Sequence, residues 1–280
     1  MKRKNLHDKL DMKFTMKKIF IYTSLLLLIL ISVGVIVVYI SIIHIQLPHG
    51  ADLYVLTAPK NNQAHGAVII CPGGGYSYLE KWKEGFRWFP FFYRHGYSVA
   101  LLKYRMPNHD YRIPMTDGAD AILTMRKRAK EWHFDANNVG IMGFSAGGHL
   151  ASTLIVSDND AVRPDFGILF YPVISMKKEL THMASHDQLL GEDASKQLEY
   201  RFSNELHISE KTPPTYIAVS SNDTGVNIQN SIRFHNNMLK KKRPVSLHVY
   251  PSGGHGWGYL RSFEYHDQML EDLIGWLRNK

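Results

Sequence analysis

Cysteine is nearly absent from this sequence, because Cys71 is the only one among 280 residues. A single cysteine excludes a disulfide within the chain, so cysteine usage gives no indication of the redox compartment. It also excludes a zinc site built from clustered thiolates. Beyond a short tether at residues 46–51, the sequence has no second linker, repeat or low-complexity tract, which favours one domain over residues 46–280.

Charge is absent from residues 19–45, which contain no Lys, Arg, Asp or Glu and are dense in Leu, Ile and Val. As a helix this stretch would extend ~40 Å, more than the ~30 Å of a bilayer's hydrocarbon core. The sequence therefore predicts a single transmembrane helix, a signal anchor, over residues 19–45. A cleaved signal peptide, which would leave a secreted protein, is the alternative, but its apolar region would be about half as long.

Positive charge is concentrated in residues 1–18, where seven basic and two acidic side chains supply +5 of the net charge of +8. Basic residues before the span and few after it predict a cytoplasmic tail over 1–18 and an extracytoplasmic domain, hence a single-pass membrane protein. A translation start at Met12 or Met16 would shorten this tail without changing the topology. The charge outside the tail is small, so no nucleic-acid partner is expected.

Alternating strand and helix patterns follow the tether. Apolar runs typical of buried parallel strands lie at 67–71, 97–103, 138–142, 165–171, 214–219 and 245–250. Helical patterns lie at 116–132, 147–156, 228–240 and 263–278. This alternation predicts an α/β fold with a mostly parallel central sheet and helices on both faces. The functional site is then expected beyond the carboxyl ends of the strands.

The motif Gly143-Phe144-Ser145-Ala146-Gly147 lies between a predicted strand and a predicted helix. This pattern is typical of a nucleophile elbow, where a sharp turn strains the serine backbone and leaves no room for side chains two residues away. The serine oxygen then lies at the amino end of the helix, where backbone amides favour negative charge. Ser145 is therefore the candidate nucleophile, and a chance match in an ordinary loop is the alternative.

A glycine loop, Pro72-Gly73-Gly74-Gly75-Tyr76, follows an earlier predicted strand. In a serine hydrolase such a loop supplies half of an oxyanion hole, and the amide of Ala146 supplies the other half. A phosphate-binding loop is the competing interpretation, but the Gly-Lys-Ser or Gly-Lys-Thr of a P-loop is missing. A flexible turn remains the other alternative.

A serine nucleophile needs a histidine that takes its proton and an acid that orients the histidine. Among 15 histidines, His255 lies in a glycine-rich loop after the last predicted strand, whereas His248 and His266 are more simply packing or surface residues. Asp223 follows the strand ending at residue 219, 78 residues after Ser145 and 32 before His255. An ordinary turn aspartate is the alternative for Asp223.

Two further histidines, His182 and His186, have a spacing that metal ligands use. No glutamate lies at the position that a zinc site of this kind needs, and the segment is interpreted as a loop. No metal or organic cofactor is therefore expected.

With these motifs in place, the domain resembles the α/β-hydrolase superfamily and, within it, acetyl xylan esterase-like carbohydrate acetyl esterases related to the hormone-sensitive-lipase-like group. The resemblance runs through residues 72–76, 84–85, 104–105, 135–152, 171–175, 189–192, 203–205, 212–214 and 253–258. It implies an α/β-hydrolase fold. It also implies a catalytic triad of Ser145, Asp223 and His255, and an oxyanion hole lined by Gly74, Gly75 and Ala146.

The loop that carries the acid departs from the family's pattern, which usually has Asp-Asp-x-x-Val-Pro after a histidine. Here it is Ser221-Asn222-Asp223-Thr224-Gly225-Val226-Asn227. The second aspartate of the pattern is kept, and the first aspartate and the proline are lost.

The expected function is that of a serine esterase that removes short acyl groups, above all acetyl, from small-molecule or oligosaccharide esters. A serine peptidase of the prolyl-oligopeptidase type is one alternative, but 235 residues leave no room for its gating domain. A catalytically silent hydrolase-like binding domain at the cell surface is the other, and the intact set of Ser, Asp and His argues against it.

Overall fold

A computed structural model of the chain describes residues 41–59 and 65–280. One sheet contains all eight strands of these residues, in the order β1-β2-β4-β3-β5-β6-β7-β8. The strands are β1 (Ile43–Gln46), β2 (Asp52–Leu56), β3 (Gly66–Cys71), β4 (Tyr97–Lys103), β5 (Val139–Phe144), β6 (Phe166–Phe170), β7 (Thr215–Ser220) and β8 (Val245–Tyr250). The six strands from β4 to β8 in this order are parallel, while β2 pairs antiparallel with both β1 and β4. The predicted mostly parallel sheet is confirmed.

All six predicted strands are present, each within two residues of its predicted ends. The two strands that the sequence did not predict, β1 and β2, lie at one edge of the sheet. Three of the four residues of β1 are exposed, so the strand lacks the continuous apolar run by which the others were found. Edge strands of this kind carry too weak a pattern to be separated from neighbouring loops.

Seven α-helices lie in the described residues: α1 (Phe89–Arg94), α2 (Arg112–Arg128), α3 (Ser145–Ile155), α4 (Met183–Leu190), α5 (Lys196–Arg201), α6 (Gln229–Lys240) and α7 (His266–Asn279). The helix predicted over 116–132 both begins and ends four residues earlier, as α2. The loop predicted around His182 and His186 is wrong, because this segment forms α4. The His182 side chain caps the helix by accepting a hydrogen bond from the Ser185 amide.

Helices cover both faces of the sheet. The contacts of β6 show that α3 lies on one face and α7 on the other. A side chain on Gly167 would collide with Ile155 of α3, so α3 lies against the face to which residue 167 points. The neighbouring residue, Phe166, points to the other face, where its ring contacts Trp276 of α7 at a centroid distance of 6.2 Å. All five residues of β6 are buried, as expected for a strand covered on both sides.

The predicted membrane anchor over residues 19–45 lies outside the described residues, except for its last five positions. Of these, residues 43–45 belong to β1, which pairs with β2 through Ile43 and Val55. The predicted end of the anchor is corrected accordingly, and the domain begins at Ile43 rather than at residue 46. The cause is the Ile-His-Ile-Gln sequence of β1, whose two isoleucines extended the apolar run. Across 41–59 and 65–280, no helix has the length and apolar character needed to cross a bilayer.

The carboxyl ends of the parallel strands lie at a common edge of the sheet. The glycine loop follows β3, Ser145 follows β5, and Tyr171 follows β6. Asp223 lies beyond β7, and His255 lies beyond β8. Topology therefore brings residues from five separate parts of the chain to one place.

Candidate active site

Ser145 lies at the turn from β5 into α3. Phe144 is extended, with φ −119° and ψ 131°, and the next residue, Ser145, has a φ of 51°. A positive φ is costly for most residues other than glycine, so the backbone at Ser145 is strained, as the elbow motif predicts. Ser145 is also the first residue of α3, and its side chain therefore lies beside the helix's unpaired amides.

The two glycines of the elbow are required by close backbone contacts. A methyl group on Gly143 would lie 2.3 Å from the carbonyl oxygen of Gly147. A methyl group on Gly147 would lie 2.2 Å from the carbonyl oxygen of Cys71, at the end of β3. Both obstacles are backbone atoms, which cannot move aside as a flexible side chain could. The glycines allow α3 to begin directly against the neighbouring strand.

Ser145, His255 and Asp223 form one chain of hydrogen bonds. The Nε2 atom of His255 lies 2.9 Å from the Ser145 Oγ, and its Nδ1 atom lies 2.8 Å from the Asp223 Oδ2. The Asp223 carboxylate has no exposed side-chain surface, whereas the His255 side chain is 26% exposed. The structure thus places the three sequence-predicted residues in the order that a serine hydrolase triad has.

The loop that carries Asp223 is held by its own backbone. The second oxygen of Asp223, Oδ1, accepts hydrogen bonds from the amides of Gly225 and Val226 at 2.8 and 2.9 Å. The side chain of Asn222 accepts a hydrogen bond from the amide of Gly254 at 2.9 Å, which ties this loop to the histidine loop. These bonds orient the Asp223 carboxylate although the loop lacks the family's first aspartate and proline.

A cavity of about 380 Å³ opens beside Ser145 and His255, and the predicted oxyanion residues Gly74 and Gly75 line it. No acceptor among the described residues takes a hydrogen bond from the amides of Gly74, Gly75 or Ala146. Gly74 and Gly75 have φ values of 131° and 63°, a conformation that glycine adopts without strain. The site therefore offers unpaired amide donors next to the Ser145 oxygen.

Glu84 is a buried carboxyl group that sequence analysis did not predict in the site. Its Oε2 accepts a hydrogen bond from the amide of Gly73 at 2.8 Å, and its Oε1 accepts one from the hydroxyl of Tyr171 at 2.9 Å. The Tyr171 hydroxyl in turn accepts a hydrogen bond from the amide of Gly258 at 2.8 Å. Burial raises the pKa of Glu84, and the two hydrogen bonds that it accepts oppose this rise.

Tyr171 was also missed, although the rule that sites lie beyond the carboxyl ends of strands could have found it after β6. Its ring lies against His255, with 4.8 Å between the ring centroids. Its φ of 35° is strained for a side chain of this size. For Glu84 the only signal was its place within the segments that resemble the family.

A buried pair, Tyr76 and His149, holds the other end of the glycine loop. The Tyr76 hydroxyl lies 3.0 Å from the His149 Nδ1, and the His149 Nε2 lies 2.8 Å from the carbonyl oxygen of Phe202. A carbonyl can only accept, so the ring proton is on Nε2, and Nδ1 accepts from Tyr76. Burial lowers the pKa of His149 to about 4, so the ring is neutral. This bond fixes Tyr76 in a strained conformation with a φ of 60°.

Metal ligands are not clustered in the part of the chain that the structure describes, where no group of three or more His, Cys, Asp or Glu could hold an ion. His182 and His186 have separate roles. The Nδ1 of His182 is occupied by the helix cap, whereas His186 is buried between Asp187 and Glu199.

The strand order, the serine elbow and the hydrogen-bonded Ser, His and Asp define an α/β-hydrolase. Residues 52–238 match the BD-FAE family, and the chain belongs to this family. The resemblance that the sequence motifs indicated is confirmed. Among curated relatives, an acetylxylan esterase of Xylanibacter ruminicola is 39% identical over 223 residues, which are 78% of this chain and 46% of the relative.

One further curated relative and one solved structure are also similar to this chain. The endo-1,4-β-xylanase B of Butyrivibrio fibrisolvens is 33% identical over 206 residues, which are 68% of this chain and 32% of the xylanase. The crystal structure of an acetyl ester-xyloside bifunctional hydrolase from Caldicellulosiruptor lactoaceticus superimposes with a TM-score of 0.77 at 31% identity, covering 83% of this chain and 89% of that chain. The present chain spans less than half the length of the acetylxylan esterase and of the xylanase.

Proposed function

We propose that this protein is a serine esterase that removes short acyl groups, above all acetyl, from carbohydrates or related small molecules. The observation that carries the proposal is the hydrogen-bond chain from Asp223 through His255 to Ser145, with distances of 2.8 and 2.9 Å. A surface that only binds ligands has no need of this arrangement. A carboxylic ester is the substrate because its carbonyl carbon accepts the serine and its alcohol is a better leaving group than the amine of an amide.

In the first half of the reaction, Ser145 attacks the ester carbonyl while the His255 Nε2 takes its proton. The carboxylate of Asp223 accepts the hydrogen bond from Nδ1, so it keeps the ring in the required tautomer and stabilises the imidazolium. The carbonyl oxygen becomes an oxyanion, and the amides of Gly74, Gly75 and Ala146 bind it. No step requires a metal.

In the second half, the imidazolium of His255 gives its proton to the leaving alcohol, and the acyl group stays on Ser145 as an ester. Water then enters, His255 takes a proton from it, and the hydroxide attacks the acyl-enzyme. Collapse of the second tetrahedral intermediate returns the proton to Ser145 and releases the carboxylic acid. The site ends in the state in which it began.

The choice of acetyl and of a carbohydrate alcohol is supported by the three relatives, two of which are named for acetyl ester hydrolysis and all three for xylan or xyloside. It is also supported by the cavity, whose volume of about 380 Å³ suits a small ligand. Charged and polar side chains, among them Lys83 and Glu84, form part of its wall. A long acyl chain would need a larger apolar surface.

The test is hydrolysis of 4-nitrophenyl acetate by the Ser145→Ala variant. We expect kcat to fall by roughly 10⁴-fold or more, because the hydroxyl that forms the acyl-enzyme is gone. Ser262→Ala, which removes an exposed hydroxyl, is the matched control and should keep wild-type turnover. A folded Ser145→Ala protein with wild-type turnover contradicts the proposal.

A comparison of substrates separates the esterase from a peptidase. Wild-type protein is assayed on acetyl, butyryl and octanoyl 4-nitrophenyl esters and on dipeptide 4-nitroanilides. We expect the highest kcat/KM with acetate and no measurable turnover of the anilides. A preference for the dipeptide amides would favour the prolyl-oligopeptidase type of activity instead.

We also propose that the protein is anchored in a membrane by the uncharged apolar stretch that begins at residue 19, with the hydrolase domain outside the cytoplasm. The support is the sequence alone: the length of the stretch and the seven basic residues before it. Alkaline carbonate extraction of membranes from cells that express the full chain tests this. An anchored protein stays in the pellet, whereas recovery of the whole protein in the supernatant contradicts the anchor.

A further inference from the structure

Two side chains with different chemistry lie beside the glycine loop and have no role in the steps above. One is Tyr78, whose side chain is large, aromatic and exposed, with 63% of its surface accessible. Its Cδ2 atom lies 3.2 Å from the position that a Cβ on Gly74 would occupy. Its amide donates to the carbonyl of Gly74 at 3.2 Å, which fixes the backbone of Tyr78 to the loop. The ring therefore forms a wall of the active-site cavity.

The other is His182, a half-buried residue that also lines the cavity. Its Cε1 atom lies 3.9 Å from the position that a Cβ on Gly75 would occupy. The Nδ1 of His182 lies 2.8 Å from the Oγ of Ser185, whose hydroxyl can donate, and it accepts a hydrogen bond from the Ser185 amide at 3.3 Å. Because an amide can only donate, Nδ1 carries no proton, and the single proton of the neutral ring is on Nε2.

Burial and two neighbouring side chains determine the pKa of His182. Burial lowers its pKa, the neighbouring His255 lowers it further, and Asp223 opposes the shift. The lowered pKa of His182 favours the neutral form of its ring. Among the described residues, no acceptor pairs with the Nε2 of His182. An N–H donor is thus available in the cavity.

We propose that Tyr78 and His182 bind the sugar part of the substrate, the first by stacking and the second by a hydrogen bond from Nε2–H to a sugar oxygen. This proposal rests on the esterase function proposed above. His182 and His255 both line the cavity beside Ser145, and the leaving alcohol receives its proton from His255. In this proposal the alcohol part of the ester, rather than the acyl group, lies beside His182.

The chemistry of the pair suits a pyranose. The face of an aromatic ring carries partial negative charge, which attracts the weakly positive C–H groups on one side of a sugar ring. The hydroxyls around the sugar's edge accept hydrogen bonds, which a neutral imidazole N–H can donate. A simple alkyl alcohol offers only small apolar surface and no second oxygen. The two side chains would therefore determine the selectivity for the alcohol part of the ester and would not affect the selectivity for the acyl group.

The experiment measures the ratio of kcat/KM for a monoacetylated methyl xylopyranoside to kcat/KM for ethyl acetate. We expect this ratio to fall roughly 5- to 10-fold in Tyr78→Ala and in His182→Asn, the loss for one stacking or hydrogen-bonding contact. Asparagine is used because it keeps the cap of α4 while its shorter amide withdraws the donor from the cavity. A loss of stability alone would lower both kcat/KM values and would leave the ratio unchanged.

Two controls accompany these variants. Tyr78→Phe keeps the ring and should restore the ratio to near the wild-type value. Tyr200→Ala removes a similarly exposed tyrosine, with 55% of its surface accessible, from α5 outside the cavity and should leave the ratio as in wild type. A ratio that does not change in Tyr78→Ala or in His182→Asn overturns the proposal and leaves the esterase function standing. Wild-type protein that hydrolyses neither ester contradicts both.

Discussion

The carboxylate of Glu84 accepts a hydrogen bond from the amide of Gly73 at 2.8 Å, and the next two residues of this loop, Gly74 and Gly75, line the cavity together with Ser145. The other oxygen of Glu84 accepts from Tyr171, which holds the histidine loop through Gly258. One buried carboxyl group thus connects the oxyanion loop with the loop of His255. We infer that Glu84 is a positioning residue, which acts through these loops and does not touch the substrate's reacting atoms.

Replacement of Glu84 by Gln should lower kcat roughly 10-fold or more and change KM little. The amide of Gln can still accept from Gly73, but its NH₂ can only donate toward the Tyr171 hydroxyl, whose own proton then loses its acceptor. The measurement is the separate determination of kcat and KM with 4-nitrophenyl acetate. Glu131→Gln is the control, because Glu131 is exposed and does not line the active-site cavity. An unchanged kcat in folded Glu84→Gln would show that the connection has no effect on catalysis.

Asp223→Asn should lower kcat by roughly 10³- to 10⁴-fold and leave the fold intact. The asparagine Oδ1 can still accept from the amides of Gly225 and Val226, so the loop stays in place. Its NH₂ then faces the His255 Nδ1, which forces the ring proton to Nε2 and leaves no base for Ser145. Steady-state kinetics with Asp193→Asn as an exposed control test this. Near wild-type turnover would remove Asp223 from the mechanism.

His149 should make the protein less stable as pH falls. Burial lowers its pKa from 6.5 to about 4, so between these values the unfolded chain takes up a proton that the folded protein does not. The stabilisation is fully present above pH 6.5 and decreases as pH falls toward 4. From pH 7 to pH 4.5 the loss assigned to this residue is about 2 kcal/mol.

Urea unfolding of wild type and of His149→Asn at these two pH values measures the effect. The variant should be less stable at pH 7, because Tyr76 loses its partner, but its stability should depend less on pH. His133→Asn replaces an exposed histidine with positive φ, which Asn tolerates, and should follow the wild-type curve. Equal pH dependence in wild type and His149→Asn would contradict the assignment.

Two substitutions of glycine by alanine should differ in outcome, since one should lower the activity and the other should raise the stability. Gly147→Ala would place a methyl group 2.2 Å from the Cys71 carbonyl oxygen, so the elbow must move and activity should fall by at least about 100-fold. Gly275→Ala, in the middle of α7, meets nothing within 4 Å and should stabilise the fold by roughly 0.5–1 kcal/mol. Thermal unfolding and acetate hydrolysis of both variants test the pair. Full activity in Gly147→Ala would mean that the contact at the elbow is not rigid.

The sequence predicted the six parallel strands because each contains an apolar run, a pattern that needs no knowledge of distant partners. Five of these strands are buried along almost their whole length, whereas β8, at the end of the sheet, is mostly half-buried. It predicted Ser145, Asp223 and His255 because loops beyond strand ends bring them together in a fixed order. It missed the edge strand β1 and its neighbour β2, whose patterns are short or exposed. It also placed a loop where His182 caps α4, since an imidazole is an uncommon cap.

Glu84 shows what a sequence alone does not reveal. The residue lies in an irregular segment between β3 and α1, with no periodic pattern around it. Its importance comes from contacts with Gly73 and Tyr171, the second of which is 87 residues away in the chain. Burial of a carboxyl group and its hydrogen-bond partners are properties of the folded chain. The spacing of residues along the sequence does not indicate these properties.

The central claim is that the oxygen of Ser145 is activated by His255 and Asp223. Peptide mapping by mass spectrometry after treatment with a fluorophosphonate tests it most directly, because the reagent adds to an activated serine and not to ordinary hydroxyls. The account predicts one equivalent of label on Ser145, loss of esterase activity in proportion to labelling, and no label in His255→Ala. An unlabelled Ser145 in a protein that hydrolyses acetate, or label on another serine, would contradict it.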